Sequence, residues 1–254
     1  MSGMLDAMPR LSTLGRAMVD RLRLLLFPPA CVFCHAPLAH RGGCCAACHA
    51  RITVWPATHC RVCGTPLPAS LAPGPCGACL RRMPPFQRSE SLFMYRGTVR
   101  DALLAWKLRG RDAPVRWLLE TGRMCIERTL APGDLLLPVP MPLSRMRRRG
   151  QHHAADLARW LAEISGARWD WRILRRQGAQ QRQSSLSGGA RWRNMRKAFA
   201  LDATYLDKGL AGVRRLWIVD DIRTTGATLY YAARSLRGLR MPVGVWTLAR
   251  THKE

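Results

Sequence analysis

Between residues 218 and 228 the chain reads Ile218-Val219-Asp220-Asp221-Ile222-Arg223-Thr224-Thr225-Gly226-Ala227-Thr228. An apolar run ends in two adjacent carboxylates, a loop of threonines and glycine follows, and a helical pattern begins. Each piece has a chemical use. Gly226 permits a sharp turn and a close backbone approach to a ligand. Free backbone N–H groups at a helix start, with the positive end of its dipole, form an anion site, and the helix opens at Ala227. Thr224, Thr225 and Thr228 add hydroxyl donors. Asp220 and Asp221 can accept hydrogen bonds from vicinal sugar hydroxyls, directly or across Mg²⁺. An Asp-capped turn that binds no ligand is the alternative.

The cysteines suggest a second chemistry. Ten are present, at 31, 34, 44, 45, 48, 60, 63, 76, 79 and 125. Eight form C-x-x-C pairs: Cys31/Cys34, Cys45/Cys48, Cys60/Cys63 and Cys76/Cys79. Two residues between thiols let a tight turn aim both sulfurs at one ion, and four thiolates complete a tetrahedral Zn²⁺ shell. The spacing reads as two zinc ribbons, each built from consecutive pairs, with a cross-braced pairing as the alternative. Disulfides are disfavoured because no secretory signal is recognisable. Cys44 adjoins a ligand and could replace Cys45. Cys125 falls in a helical pattern and reads as a small core residue.

The elements that must position these groups follow from periodicity. From Pro28 to Pro85 the chain is rich in Cys, Pro and Gly and poor in long apolar residues, so metal binding must supply its folding energy. After Phe86 the texture changes. Strand-like runs occur at Ser91–Tyr95, Asp134–Pro140, Leu216–Val219 and Val243–Leu248. Helical patterns occur at Thr98–Lys107, about Gln151–Ser165 and Ala227–Arg237. Alternation of the two predicts an α/β domain with a parallel sheet flanked by helices. Ligands of such sheets bind beyond the carboxyl ends of the strands, where Asp220 and Asp221 fall. Three segments result: an amphipathic N-terminal helix within 1–27, a double zinc ribbon over 28–85, and the α/β domain over 86–254.

Charge indicates partners. Lys and Arg number 41 against 16 Asp and Glu, a formal +25. Two Zn²⁺ ions held by eight thiolates would leave the chain strongly basic. Such an excess repels itself and points to a polyanionic partner, with a GC-rich genome that enriches Arg as the alternative. The excess concentrates in residues 141–200, where fourteen basic residues face only Asp156, Glu163 and Asp170. Trp160, Trp169, Trp171 and Trp192 are interleaved with them. Arg among aromatics suits single-stranded nucleic acid, and packing in a core is the alternative for the tryptophans. The longest uncharged stretch, Val62–Leu80, is full of Pro, Gly and Cys and is no bilayer helix. The basic segment Leu14–Phe27 reads as a short amphipathic helix that packs on the fold, with a membrane-surface role as the alternative.

The stretch from Ile218 to Thr228 closely resembles the 5-phosphoribosyl 1-pyrophosphate (PRPP) signature of type I phosphoribosyltransferases. That resemblance implies that Asp220 and Asp221 hold the ribose hydroxyls and that Thr224, Thr225, Gly226, Ala227 and Thr228 hold the 5′-phosphate, with Mg²⁺ accompanying PRPP. Arg223 stands where an apolar or aromatic residue is more usual. Four cysteine pairs ahead of such a domain resemble the ComF family. Further matches are Tyr95-Arg96-Gly97 with Lys107 and Gly110, Pro138-Val139-Pro140 with Arg149-Gly150, and Gln183, Leu186, Arg191, Asn194, Ala198 and Phe199. The chain departs from the family pattern at Gln151-His152-His153, where an aromatic and then Asn-Gln are usual. It departs again at Gly178 and Gln180, where Arg and Thr are common.

By position in that pattern, Lys107 is the leading candidate for a catalytic cation on the pyrophosphate side. Arg109, Arg145, Arg147, Arg148, Arg149 and Arg191 are further pyrophosphate or nucleic-acid candidates. The resemblance implies a cytoplasmic factor of natural competence. It would bind a PRPP-type ligand and single-stranded DNA, and work with a helicase or the DNA-uptake machinery at the inner face of the membrane. The alternatives are an active Mg²⁺-dependent phosphoribosyltransferase in nucleotide salvage and a PRPP-sensing regulator without turnover. No nucleobase pocket is identifiable; Trp192 and His152 could stack on a base but read more simply as structural or surface residues.

Overall fold

The structure, a computed structural model, describes residues 28–39, 43–72, 74–141, 150–177 and 198–252. The chain divides into two compact units, Met1–Ala50 and Arg51–Glu254. In the first, a bridge between Ala30 and Pro37 closes a turn that carries Cys31 and Cys34. A short helix, α1 (Ala46–Ala50), then carries Cys48.

The second unit begins with the same device. A bridge between His59 and Pro66 closes the turn of Cys60 and Cys63, and α2 (Gly77–Arg81) carries Cys79. Next come β1 (Arg88–Met94), α3 (Gly97–Arg109), α4 (Ala113–Thr121), α5 (Arg123–Thr129) and β2 (Asp134–Pro138). Then follow α6 (His153–Ser165), β3 (Arg168–Trp169), β4 (Leu174–Arg176), β5 (Phe199–Leu201) and α7 (Ala203–Leu210). The unit ends with β6 (Arg215–Arg223), α8 (Ala227–Ser235) and β7 (Val243–Arg250).

Five strands form a parallel sheet in the order β1-β7-β6-β2-β3. Both faces of its centre are covered, which is why β2 and β6 read as unbroken apolar runs. Leu135, Leu137, Leu216, Ile218, Val243 and Val245 face one side and pack against Leu229, Ala232 and Ala233 of α8 and Leu236 just beyond its end. Burying a leucine such as Leu229 or Leu236 contributes about 1.5–3 kcal/mol. Alternate residues such as Leu136 and Trp217 turn to the other face, where α6 crosses β2 and β6. There Trp217 Nε1 donates to Asp134 Oδ2 at 3.0 Å, which satisfies the indole inside the core. The antiparallel pair β4–β5 covers the α8 side beside the sheet.

The expected strands and helices are present with shifted ends, and β6 runs on to Arg223 rather than stopping at Val219. The short elements α7, β3, β4 and β5 carried too few periodic residues to be read from sequence. Cys125 lies in a helix as expected, but it is exposed rather than in the core; Ile126 is the residue of that turn that turns inward. The expected N-terminal helix and the Gln183–Asn194 motif residues lie outside the described residues.

Candidate functional site

The carboxyl ends of the parallel strands lie along one edge of the sheet, and the dyad stands at its centre. Asp220 is paired in register with Thr247 of β7, and Val219 with Pro138 of β2. Strand β6 therefore delivers the two carboxylates between its neighbours. The chain then turns through Thr224, Thr225 and Gly226, and α8 starts at Ala227. Gly226 caps that helix in the left-handed region, φ 77°, a conformation a side chain would strain. The Ala227 amide donates to Thr225 Oγ1 at 3.4 Å, so the threonine tightens the turn.

Asp220 and Asp221 are partly buried side by side. The Asp221 amide donates to Asp220 Oδ1 at 3.0 Å. Burial first, and then the charge of Asp221, push the Asp220 carboxyl up to about 7, while the cations of Lys107 and Arg176 pull it back. Lys107 Nζ lies 2.7 Å from Asp221 Oδ2. It reaches there because it sits in the last turn of α3, which Gly110 ends in the left-handed conformation. The spacing from Lys107 to Gly110 is thus a helix end that aims a cation at the dyad. Lys107, Arg109, Gly110 and Gln151 line a cleft of about 420 Å³ beside it. Two adjacent carboxylates offer hard oxygen donors and fit a divalent cation or sugar hydroxyls. The helix start behind Gly226 is of the kind that takes a phosphate.

Arg223 packs against Gly226 of this loop but spends its hydrogen bonds elsewhere. Its guanidinium donates to the Cys63 carbonyl at 2.9 Å and to Ser89 Oγ at 2.6 Å. His152 proves to be a helix cap: its Nδ1 accepts from the Ala155 amide at 3.0 Å. His153 is buried edge-on against Trp106, with ring centroids 4.7 Å apart. Burial pushes both imidazoles down from the usual histidine value. Sequence reasoning missed Arg176, whose charge acts on Asp220 from the end of the short β4, and Arg250, the last residue of β7, which bonds the Cys63 carbonyl. Neither belongs to a spaced motif, so only the fold could place them. Arg145, Arg147, Arg148, Arg149, Arg191 and Trp192 lie outside the described residues. Among the tryptophans named above, Trp160 is buried and Trp171 is half exposed.

The eight paired cysteines form two groups, Cys31/Cys34/Cys45/Cys48 and Cys60/Cys63/Cys76/Cys79, in consecutive pairing. Within each group the sulfurs lie within 4.8 Å of one another. Cys34 and Cys45 sulfurs stand 3.7 Å apart, as do those of Cys63 and Cys76. Tetrahedral thiolates at the usual Zn–S distance stand about 3.8 Å apart, so both groups fit Zn²⁺. Backbone amides point at the sulfurs: Cys45 N donates to Cys31 Sγ and Cys76 N to Cys60 Sγ. Burial would raise these two thiols, but the amide donors outweigh it and hold both at about 6, which favours the ligating thiolate. Cys44 donates to the Cys45 carbonyl and takes no place in the first group.

A family model for the double zinc ribbon domain matches residues 22–85. The DNA utilization protein YhgH of Salmonella typhi is 35% identical over 235 residues, 90% of this chain and all of the relative. The protein of the same name from Escherichia coli K12 is 32% identical over the same share of each chain. Competence protein F of Haemophilus influenzae is 29% identical over 87% of this chain and 96% of its own. Among the described residues, no helix is long and apolar enough to cross a membrane.

Proposed function

This chain belongs to the ComF family, with DNA utilization protein YhgH and Competence protein F as relatives, and from that premise we propose that it binds a PRPP-type phosphoribosyl ligand and single-stranded DNA in the use of imported DNA. The observation that carries the ligand reading is the dyad itself. Two adjacent carboxylates, one of them pushed up to about 7, stand at the carboxyl edge of a parallel sheet, directly before a turn and a helix start. The pair is costly to hold beside itself, and a ligand that donates hydroxyls to it removes that cost.

In this reading the ribose hydroxyls are held by Asp220 and Asp221, and the 5′-phosphate by the amides and hydroxyls of Thr224 to Thr228. Lys107 pairs with Asp221 while the site is free. Together with Arg109 it supplies cations to the cleft that would take the pyrophosphate. Mg²⁺, when bound with PRPP, supplies further charge neutralisation of the pyrophosphate oxygens. The DNA reading rests on the basic 141–200 segment and on the names of the relatives.

The test is isothermal titration of PRPP with Mg²⁺ into the zinc-loaded protein, with and without short single-stranded DNA. Micromolar affinity is expected, and a shift on adding DNA would make the two sites thermodynamically linked. Absence of PRPP binding while DNA still binds would overturn the ligand reading and leave a nucleic-acid adaptor.

A further inference from the structure

The second cysteine group lies in the same compact unit as the dyad and touches the strand that carries it. The Cys63 carbonyl, one residue before Gly64 in the metal-binding turn, accepts from two arginines. Arg223 Nη1 donates at 2.9 Å and Arg250 Nη1 at 2.7 Å. Arg250 Nη2 also reaches Thr65 Oγ1 at 3.2 Å, and its guanidinium lies 5.0 Å from the centre of the Trp55 ring. Trp55 Nε1 in turn donates to the Gly64 carbonyl at 2.9 Å. The turn is pressed tightly into place. Gly64 has φ 67°, and a Cβ there would stand 2.9 Å from the Ser89 carbonyl and 3.0 Å from Arg250 Nη1.

Arg223 is also the residue immediately before Thr224. A Cβ on Gly226 would stand 3.0 Å from Arg223 Nε and 3.3 Å from its Nη2, so one edge of the guanidinium packs against the glycine of the candidate phosphate loop. One guanidinium thus faces the loop with its Nε/Nη2 edge and bonds the metal-binding turn through Nη1. The charges match as well. Four thiolates around one Zn²⁺ form a net dianion, and the two guanidinium cations balance it inside the fold. A buried arginine needs such a partner. An apolar residue, more usual at this place in the resembling signature, would make none of these bonds.

We propose that Arg223 is a positioning residue that couples zinc at Cys60/Cys63/Cys76/Cys79 to the Thr224–Thr228 loop, so that metal in the turn sets the loop for its phosphorylated ligand. The proposal rests on the phosphoribosyl reading for the ligand, but the link between turn and loop stands on the contacts alone. Zinc fixes the Cys63 carbonyl, the carbonyl fixes Arg223, and Arg223 supports Gly226. The coupling is reciprocal: a ligand that favours the ordered loop must hold the zinc more tightly by the same factor.

Two measurements on the full zinc-loaded chain test it. The first is zinc release into a chromogenic chelator, with and without PRPP and Mg²⁺. Two release phases are expected, one per site, and PRPP should slow one of them by about fivefold or more, the lower end of ordinary coupling. Arg223→Leu should still load both ions, yet show less than about twofold slowing. The second needs no ligand. Amide exchange over residues 224–230 should rise about tenfold in Arg223→Leu while the β2 and β7 amides stay protected, which separates loss of positioning from loss of fold. Arg250→Gln, which keeps the Arg223 bond, should leave that loop exchange nearer the parent. If PRPP binds by calorimetry but changes neither release phase, or if the loop exchange of Arg223→Leu equals the parent's, the coupling is refuted. If PRPP does not bind at all but loop exchange rises as stated, the link survives and the phosphoribosyl reading fails.

Discussion

Replacing both carboxylates, Asp220→Ala with Asp221→Ala, separates ligand binding from folding more sharply than any other change. In the parent each carboxylate is available to accept from a ribose hydroxyl. Hydrogen bonds to a charged partner contribute about 1.5–3 kcal/mol each. Two of them make about 3–6 kcal/mol, or roughly a hundredfold to ten-thousandfold in Kd. The fold should not suffer. Asp220 is destabilised where it stands, since burial and the neighbouring charge push its carboxyl up to about 7. A carboxyl raised in the folded state contributes stability that is lost as pH rises through that value, so removing it relieves strain at pH 8. The costs are the residue 221 amide, which loses Asp220 Oδ1 as acceptor, and Lys107, which loses Asp221 as its partner but is about a quarter exposed and can turn to water. Calorimetry at pH 8 should therefore show PRPP affinity lost by at least a hundredfold, with a melting temperature equal to or above the parent's. Affinity within about threefold of the parent would refute the dyad as the ribose site. A collapsed melting transition would refute the electrostatic account of Asp220.

Other outcomes follow from the same geometry. PRPP affinity should weaken by up to about tenfold per pH unit below 7 and level off above it. A protonated Asp220 must lose its proton to accept the ligand, and calorimetry in two buffers of different ionisation enthalpy should register the released proton. Elemental analysis should find two zinc ions per chain, falling to one in Cys31→Ser; an unchanged content would overturn the four-cysteine assignment. Asp134→Ala should cost about 1–3 kcal/mol for each of the two donors it strands, Trp217 Nε1 and the Ala131 amide, and lower the melting temperature by several degrees. Affinity for single-stranded DNA should fall steeply between about 50 and 200 mM salt; a flat response would count against phosphate contacts in the basic segment.

The sequence alone determined the local chemistry of this protein. The C-x-x-C spacing carries zinc geometry in itself, because two intervening residues make one tight turn whatever lies around it. The four apolar runs announced strands because a parallel sheet covered on both faces needs continuous apolar sequence. The Asp220-to-Thr228 stretch was legible for the same reason: strand end, turn and helix start are neighbours along the chain. Contacts made across the chain were not legible. Lys107 lies more than a hundred residues from Asp221, and only the aim of α3 joins them at 2.7 Å. His152 stands in a motif position, yet its backbone geometry makes it a helix cap. Cys125 has core chemistry on an outward face of α5. Arg223 read as a departure in a phosphate loop. In the tertiary structure it is a strut to the Cys63 carbonyl, 160 residues away, because parallel strands gather distant segments along one edge of the sheet.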